Sequence, residues 1–335
     1  MSKKNLPLFR PILKKAFFIS WKYKFLWFFG FFAMFLAQEN IFDSLIINFK
    51  IFREKEFSFK AISLFFEGFL FQIHQNLSLK GEFLPVLKFT LFLILFLVSL
   101  FVVFALVWLS ISSQIGIIRS TYLEEKGKKI SFRDTFSYGV KLFWRILAIN
   151  LFVLVLYYVI FALLALPILY LSFLEKKLIF NLILGLIFFL LFIPLTIIIY
   201  FIGRYASILA ITKNYNFLQS LSLGWEIFAK NWIVSIEMAL FLFLISFLGG
   251  IIYLITLFLL SIPFFLLFLI MFFINSPLGG AIVIISGLAL AFLVLVAFGI
   301  FLTIFQHSSW TLFLLKITEK KGISKVVRLL KPYFS

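Results

Sequence analysis

The stretch FTLFLILFLVSLFVVFALVWLSI, residues 89–111, runs for 23 residues without a charged side chain. Wound as an α-helix it is about 35 Å long, enough to cross the roughly 30 Å hydrocarbon core of a bilayer. Comparable runs cover 146–173, 178–203, 233–274 and 281–305. A shorter one, FLWFFGFFAMFLA at 25–37, reaches spanning length when extended back to Ala16, with Lys22 and Lys24 snorkelling to the interface. Of the 335 residues 64% are hydrophobic, and 52 are Phe. An aqueous domain is about 45–50% apolar and cannot hide such a surface. The expected fold class is therefore all-α: one polytopic transmembrane bundle over 1–335, with about six spans. The basic N-terminus MSKKNLPLFRPILKKAFFISWKYK has no small-residue cleavage site at signal-peptide distance, so the first apolar stretch reads as a retained anchor.

The run 233–274 is about 63 Å long as a straight helix, twice the hydrocarbon thickness. It reads either as two spans joined at Gly249–Gly250 or as one kinked or extended helix, with Pro263 a kink site. Charge favours an even number of spans. With six spans and both termini on one side, the inner segments 1–24, 112–145, 204–232 and 306–335 hold 23 of the 31 Lys and Arg and five acids. The outer segments hold eight basic and seven acidic residues. That asymmetry is the positive-inside pattern of a plasma-membrane protein with cytoplasmic termini, and it accounts for the net charge of +18 without nucleic acid.

The inner connectors share a pattern. Laid over each other, they bring Gly139 onto Gly224, Phe143 onto Phe228 and Arg145 onto Lys230. The N-terminal segment resembles the second half of this unit and the tail the first half. The sequence thus predicts weak hairpin repeats: interfacial helix, span up, span down, connector, three times over, with one unit split between the chain ends. Trp21, Trp27, Trp144, Trp225 and Trp232 mark the water–lipid boundary as anchors, and the inner amphipathic segments are expected on the anionic cytoplasmic leaflet. In the outer loop 38–88, Phe42, Leu45, Ile46, Phe49 and Phe52 have helical spacing, as do Phe65, Phe66, Phe69, Leu70 and Ile73, which predicts two amphipathic helices.

The motifs SWKYKFLWFFGFF, GVKLFWRILAINL and GWEIFAKNWIV resemble bacterial multipass proteins of the glycerophosphoryl diester phosphodiesterase membrane-domain family and related membrane families. Some members of that family carry a catalytic barrel beside this domain. A barrel needs about 250 residues, for which this chain has no room, so the resemblance implies a membrane domain without the enzyme.

Few residues carry chemistry. The chain has no Cys and only His74 and His307, which excludes disulfides and thiolate metal sites and disfavours a histidine metal cluster. No phosphate loop or dinucleotide fingerprint occurs, and no cofactor is expected. The sequon at 76–78 is a chance match, and adjacency of His307 to Ser308 is no support for a dyad, because neighbouring helical side chains point about 100° apart. Glu237 is the one acid inside a span. It reads as a proton, cation or amine site, or as a boundary carboxylate that is protonated or reaches Lys230. Asn150 and Asn181 are candidates for hydrogen bonds between helices. Lys14, Lys15, Arg145, Arg204 and Lys230 are candidate contacts for anionic lipid. The expected function is that of a non-enzymatic inner-membrane protein associated with the envelope or its lipids, or an accessory subunit. A transporter or channel built from repeats is the alternative.

Overall fold

A computed structural model describes residues 9–36, 83–174 and 178–319. They form seven α-helices and a short 3-10 turn, with no strand among the described residues: α1 Phe9–Lys22, α2 Leu26–Ala33, α3 Phe83–Glu125, α4 Phe132–Leu174, α5 Leu178–Lys213, α6 Phe217–Phe273 and α7 Pro277–Thr318. The expected outer amphipathic helices at 38–88 and the turn 174–177 lie largely outside the described residues. The chain divides into two compact units, residues 35–109 and the remainder. In the smaller unit the described helix exposes an almost continuous apolar surface from Leu93 to Leu106.

Five helices, α3 to α7, are long and apolar enough to cross a membrane. The stretch expected as the first span, 16–37, is instead broken. α1 has 14 residues and α2 has eight, and neither alone reaches the length of a span. The break follows from its polar groups. The Tyr23 hydroxyl donates to Glu124, Lys22 Nζ lies 3.4 Å from the same carboxylate, and Trp27 Nε1 donates back to Ser20 O at 3.1 Å. These bonds draw 22–24 towards α3, and the backbone bridges them with turn bonds from Leu26 N to Tyr23 O and Trp27 N to Lys24 O.

The long run resolves in favour of one helix. α6 continues through Gly249–Gly250 and Pro263 to Phe273, and its one non-helical residue is Asn231 (φ −132°, ψ 25°), ahead of the run. Three residues then reverse the chain. Asn275 adopts a positive φ of 55°, Ser276 Oγ accepts from Gly279 N, and Pro277 opens α7 where its missing N–H costs nothing. α6 and α7 then run back antiparallel, with Gly249 under Phe298 and Gly287 under Phe264. α4 and α5 form a second hairpin, locked by Phe161, Phe188, Phe192 and Tyr157.

In the larger unit these hairpins rise from a packed base. Its buried residues come from α1, α2, the end of α3 after Ser110, the start of α4, the end of α5, α6 up to Leu242 and α7 from Ile300. Above the base both hairpins expose apolar side chains: Leu151–Leu171, Ile179–Leu195, Leu240–Ile274 and Leu278–Leu295. The exposed part of α6, from Leu240 to Phe273, is about 51 Å long, more than one hydrocarbon core. Only the start of the 42-residue run lies in the base, where Ser235, Met238 and Leu242 are buried.

Three helices enter this base alike. α1, α4 and α6 each begin on Phe: Phe9, Phe132 and Phe217. Each buries the same three positions of its first turns, Ile12/Thr135/Ser220, Ala16/Gly139/Gly224 and Ser20/Phe143/Phe228. These are spaced by four and so share one face. Small residues in the middle row permit close crossings. A Cβ on Gly139 would fall 2.5 Å from Ser112 O, and one on Gly224 3.0 Å from Ile202 O. Three residues beyond the last row, α1 has ended, at Tyr23, and α6 is kinked, at Asn231.

Candidate functional site: a polar core at the basic end

The base is polar inside. α3 contributes Ser112, Ser113, Gln114, Ser120 and Thr121, α5 contributes Arg204 and Ser207, and α7 contributes His307, Ser308, Ser309 and Thr311, all buried. Hydrogen bonds join helices through this core. Thr121 Oγ1 and Ser308 Oγ are 2.9 Å apart, Ser120 Oγ and Thr135 Oγ1 3.1 Å, and the Tyr205 hydroxyl donates to Ser235 Oγ at 2.7 Å. Trp310 packs edge-on against Phe201, Tyr205 and Phe313. Arg204 is 1% exposed, and it lies close enough to His307, 3% exposed, to act on it electrostatically. His307 Nδ1 and the hydroxyls of Ser112, Ser207 and Ser309 find no hydrogen-bond partner among the described residues.

These hydrogen bonds tie the helices of the base to one another. Ser308 bonds Thr121 and not the adjacent imidazole. Among the described residues no three His, Asp or Glu side chains gather to hold a metal ion.

Glu237 lies just below the exposed apolar surface that starts at Leu240, and its Oε2 is buried with no hydrogen-bond partner among the described residues. It is not joined to Lys230, which pairs with Glu226. Asn150 Nδ2 donates to Gln114 Oε1 at 3.5 Å, linking α4 to α3. Asn181 buries its Oδ1 with no partner among the described residues.

The candidate lipid cations divide. Lys15 pairs with Glu125 at 2.8 Å. Arg145 Nη1 donates to Asn214 Oδ1 at 2.7 Å and to the carbonyls of Asn214 and Tyr215, so it holds the turn after α5. Arg204 is inside the core, and Lys14 is exposed.

Of the five tryptophans expected as anchors, Trp21, Trp144, Trp225 and Trp232 project outwards, each more than half exposed. Trp27 instead folds against the α1–α2 break through its bond to Ser20.

Sequence reasoning passed over two groupings. Arg204 and His307 are 103 positions apart, and nothing local couples them. The Lys22–Tyr23–Glu124 clasp joins residues over a hundred positions apart. Burial, together with the bond to Glu124, pushes the Tyr23 phenol above its ordinary range, and the bond with Tyr23 raises Lys22. Compared with protein-family models, curated proteins and solved structures, the chain matches none.

Proposed function

We propose that the chain is a non-enzymatic multipass protein of the plasma membrane that engages anionic lipid at its basic end, serving the envelope or a partner as an accessory subunit. The observation that carries this reading is the change of surface at the base: exposed apolar hairpins above, exposed tryptophans and cations around it. Indole rings favour the headgroup level, and basic side chains beside them favour an anionic leaflet. Cytoplasmic termini form part of the proposal. Phe9 and Phe313 stack with ring centroids 6.3 Å apart, which supports the described ends lying on one side.

The proposal includes three copies of one helical-hairpin unit, the third divided between α7 and α1. Its support is the shared Phe start, the three equivalent buried rows and the pairing of α1 with α7. The family of glycerophosphoryl diester phosphodiesterase membrane domains remains the proposed kinship on the boundary motifs.

Native mass spectrometry of the protein from its own membrane tests the function. A retained anionic lipid, released only on activation, is expected. A chain carrying only a protein partner would favour the accessory role and remove the lipid one. A transporter is the second reading, favoured by the buried Oε2 of Glu237, which has no hydrogen-bond partner among the described residues. It requires water to reach that carboxylate.

A further inference from the structure

We infer that one face of α1, together with Lys24, is the surface through which the protein selects anionic phospholipid; this rests on the membrane reading above and assigns its lipid contact to one element. At 100° per residue, Arg10, Lys14, Phe17, Phe18 and Trp21 fall within about 100° of arc. All five are exposed, Phe17 by 55% and Trp21 by 58%. The opposite arc, Ile12, Ala16, Ile19 and Ser20, is buried. α1 is thus held by the protein along one side and presents cations and large aromatics along the other. That combination suits the headgroup–acyl boundary, where rings lie among chains and ammonium or guanidinium groups meet phosphate.

The stripe is held in place. Phe17 and Trp21 pack edge-on against Phe301 of α7, at ring distances of 5.3 and 6.3 Å. Phe301 lies less than two turns from Leu295, where the exposed apolar face of α7 ends. The stripe therefore adjoins the lower edge of the lipid-facing surface. Beyond the α1–α2 break Lys24 turns back, its Nζ 4.2 Å from the Trp21 ring centre and 5.2 Å from that of Trp27. The indole faces fix that ammonium beside the stripe and leave it able to meet an anion.

The equivalent helices are weaker candidates. α4 carries Asp134 next to Arg133, and on α6 Lys230 is paired with Glu226. α1 contains no acid, and Lys15 at its flank already neutralises Glu125. A nucleic acid would also meet cations, but it gives no reason for Phe17, Phe18 and Trp21 to stand exposed at the edge of an apolar belt.

The chain has no native Cys, so a single Phe18→Cys carries a bimane fluorophore cleanly. The full chain is placed in nanodiscs containing acyl-chain nitroxide-labelled phosphatidylglycerol or phosphatidylcholine at equal mole fraction. A Leu254→Cys label on the exposed face of α6 reports insertion. Phosphatidylglycerol should quench the Phe18 site more strongly, with a local enrichment of at least about fivefold, the effect of one cation near an anionic surface. The enrichment should fall as salt rises. It should vanish in Arg10→Gln/Lys14→Gln/Lys24→Gln and persist in Arg133→Gln/Lys141→Gln. Salt titration of the unsubstituted cation set keeps the test valid if the triple variant folds poorly. Equal quenching by both lipids overturns the selectivity. No quenching at Phe18 with strong quenching at Leu254 overturns the surface and leaves the membrane reading standing. Absence of quenching at both sites defeats the membrane reading itself. A Phe18 signal that responds to added RNA and not to lipid charge would replace the lipid with a nucleic acid.

Discussion

Gly139 and Gly185 are both helical glycines, and the structure sets them opposite tasks. At Gly139 α4 crosses α3 so closely that an added Cβ would fall 2.5 Å from Ser112 O, a backbone atom that cannot rotate away. At Gly185 nothing lies within 4 Å. Gly139→Ala should therefore destabilise the base by about 1–3 kcal/mol, the usual cost of forcing atoms into a packed site. Gly185→Ala should stabilise by up to about 1 kcal/mol, because Ala loses less backbone freedom in a helix. Thermal unfolding of the two variants in one detergent checks the opposite signs. Gly139 was legible beforehand as the partner of Gly224 in the overlaid connectors, though its reason, a helix crossing, is visible only in three dimensions. Arg145 shows the reverse case. Its place in a basic connector suggested a lipid contact; the structure adds a bond from its guanidinium to the Asn214 turn, in the connector after the next hairpin, which sequence spacing does not show.

Among the elements, α1 and α2 depart furthest from expectation, and the reason is physical. Hydropathy averages over a window, so 16–37 reads as one apolar stretch with two lysines at its edge. The helix ends where Lys22 and Tyr23 find Glu124 across the fold, a partner no window contains. The same locality explains why the 42-residue run was ambiguous: the kink at Asn231 lies outside it and carries no Pro or Gly. The clasp has a pH dependence whose sign follows from its raised groups. Tyr23 is pushed above its ordinary 10.0 and Lys22 above 10.5. Their protonated forms are thus favoured in the folded protein, and their contribution is complete below those ordinary values. It is lost as pH rises through the raised, folded values. Tyr23→Phe should imitate that loss at neutral pH. Hydrogen exchange would then show faster exchange in α1 and α2 with α6 and α7 above the base unchanged. Unchanged protection of α1 would mean that its buried face alone holds it.

At the scale of the larger unit, the two hairpins share a base. Among the described residues, the ring contacts and side-chain hydrogen bonds that join α4–α5 to α6–α7 lie at the basic end: Phe152 with Phe217, Phe201 with Phe228, Tyr205 with Ser235, and Trp310 with Tyr200, Phe201 and Tyr205. Above them Leu186 on α5 and Ile285 on α7 are both about two-thirds exposed. Each hairpin is zipped internally by aromatic contacts, so it should move as a rod about the base. In a bilayer, lipid is then the neighbour of both rods, and no hydrophobic force draws one against the other, because acyl chains are as apolar as their side chains. The polar core below supplies what the rods lack, since its buried hydroxyls fix helix against helix through directional bonds. Spin labels at Leu186→Cys and Ile285→Cys should give a broad distance distribution by pulsed electron resonance. Labels at Trp144→Cys and Leu218→Cys, on the exposed faces of two base helices, should give a narrow one. A narrow upper distribution in lipid would show the hairpins locked together above the base.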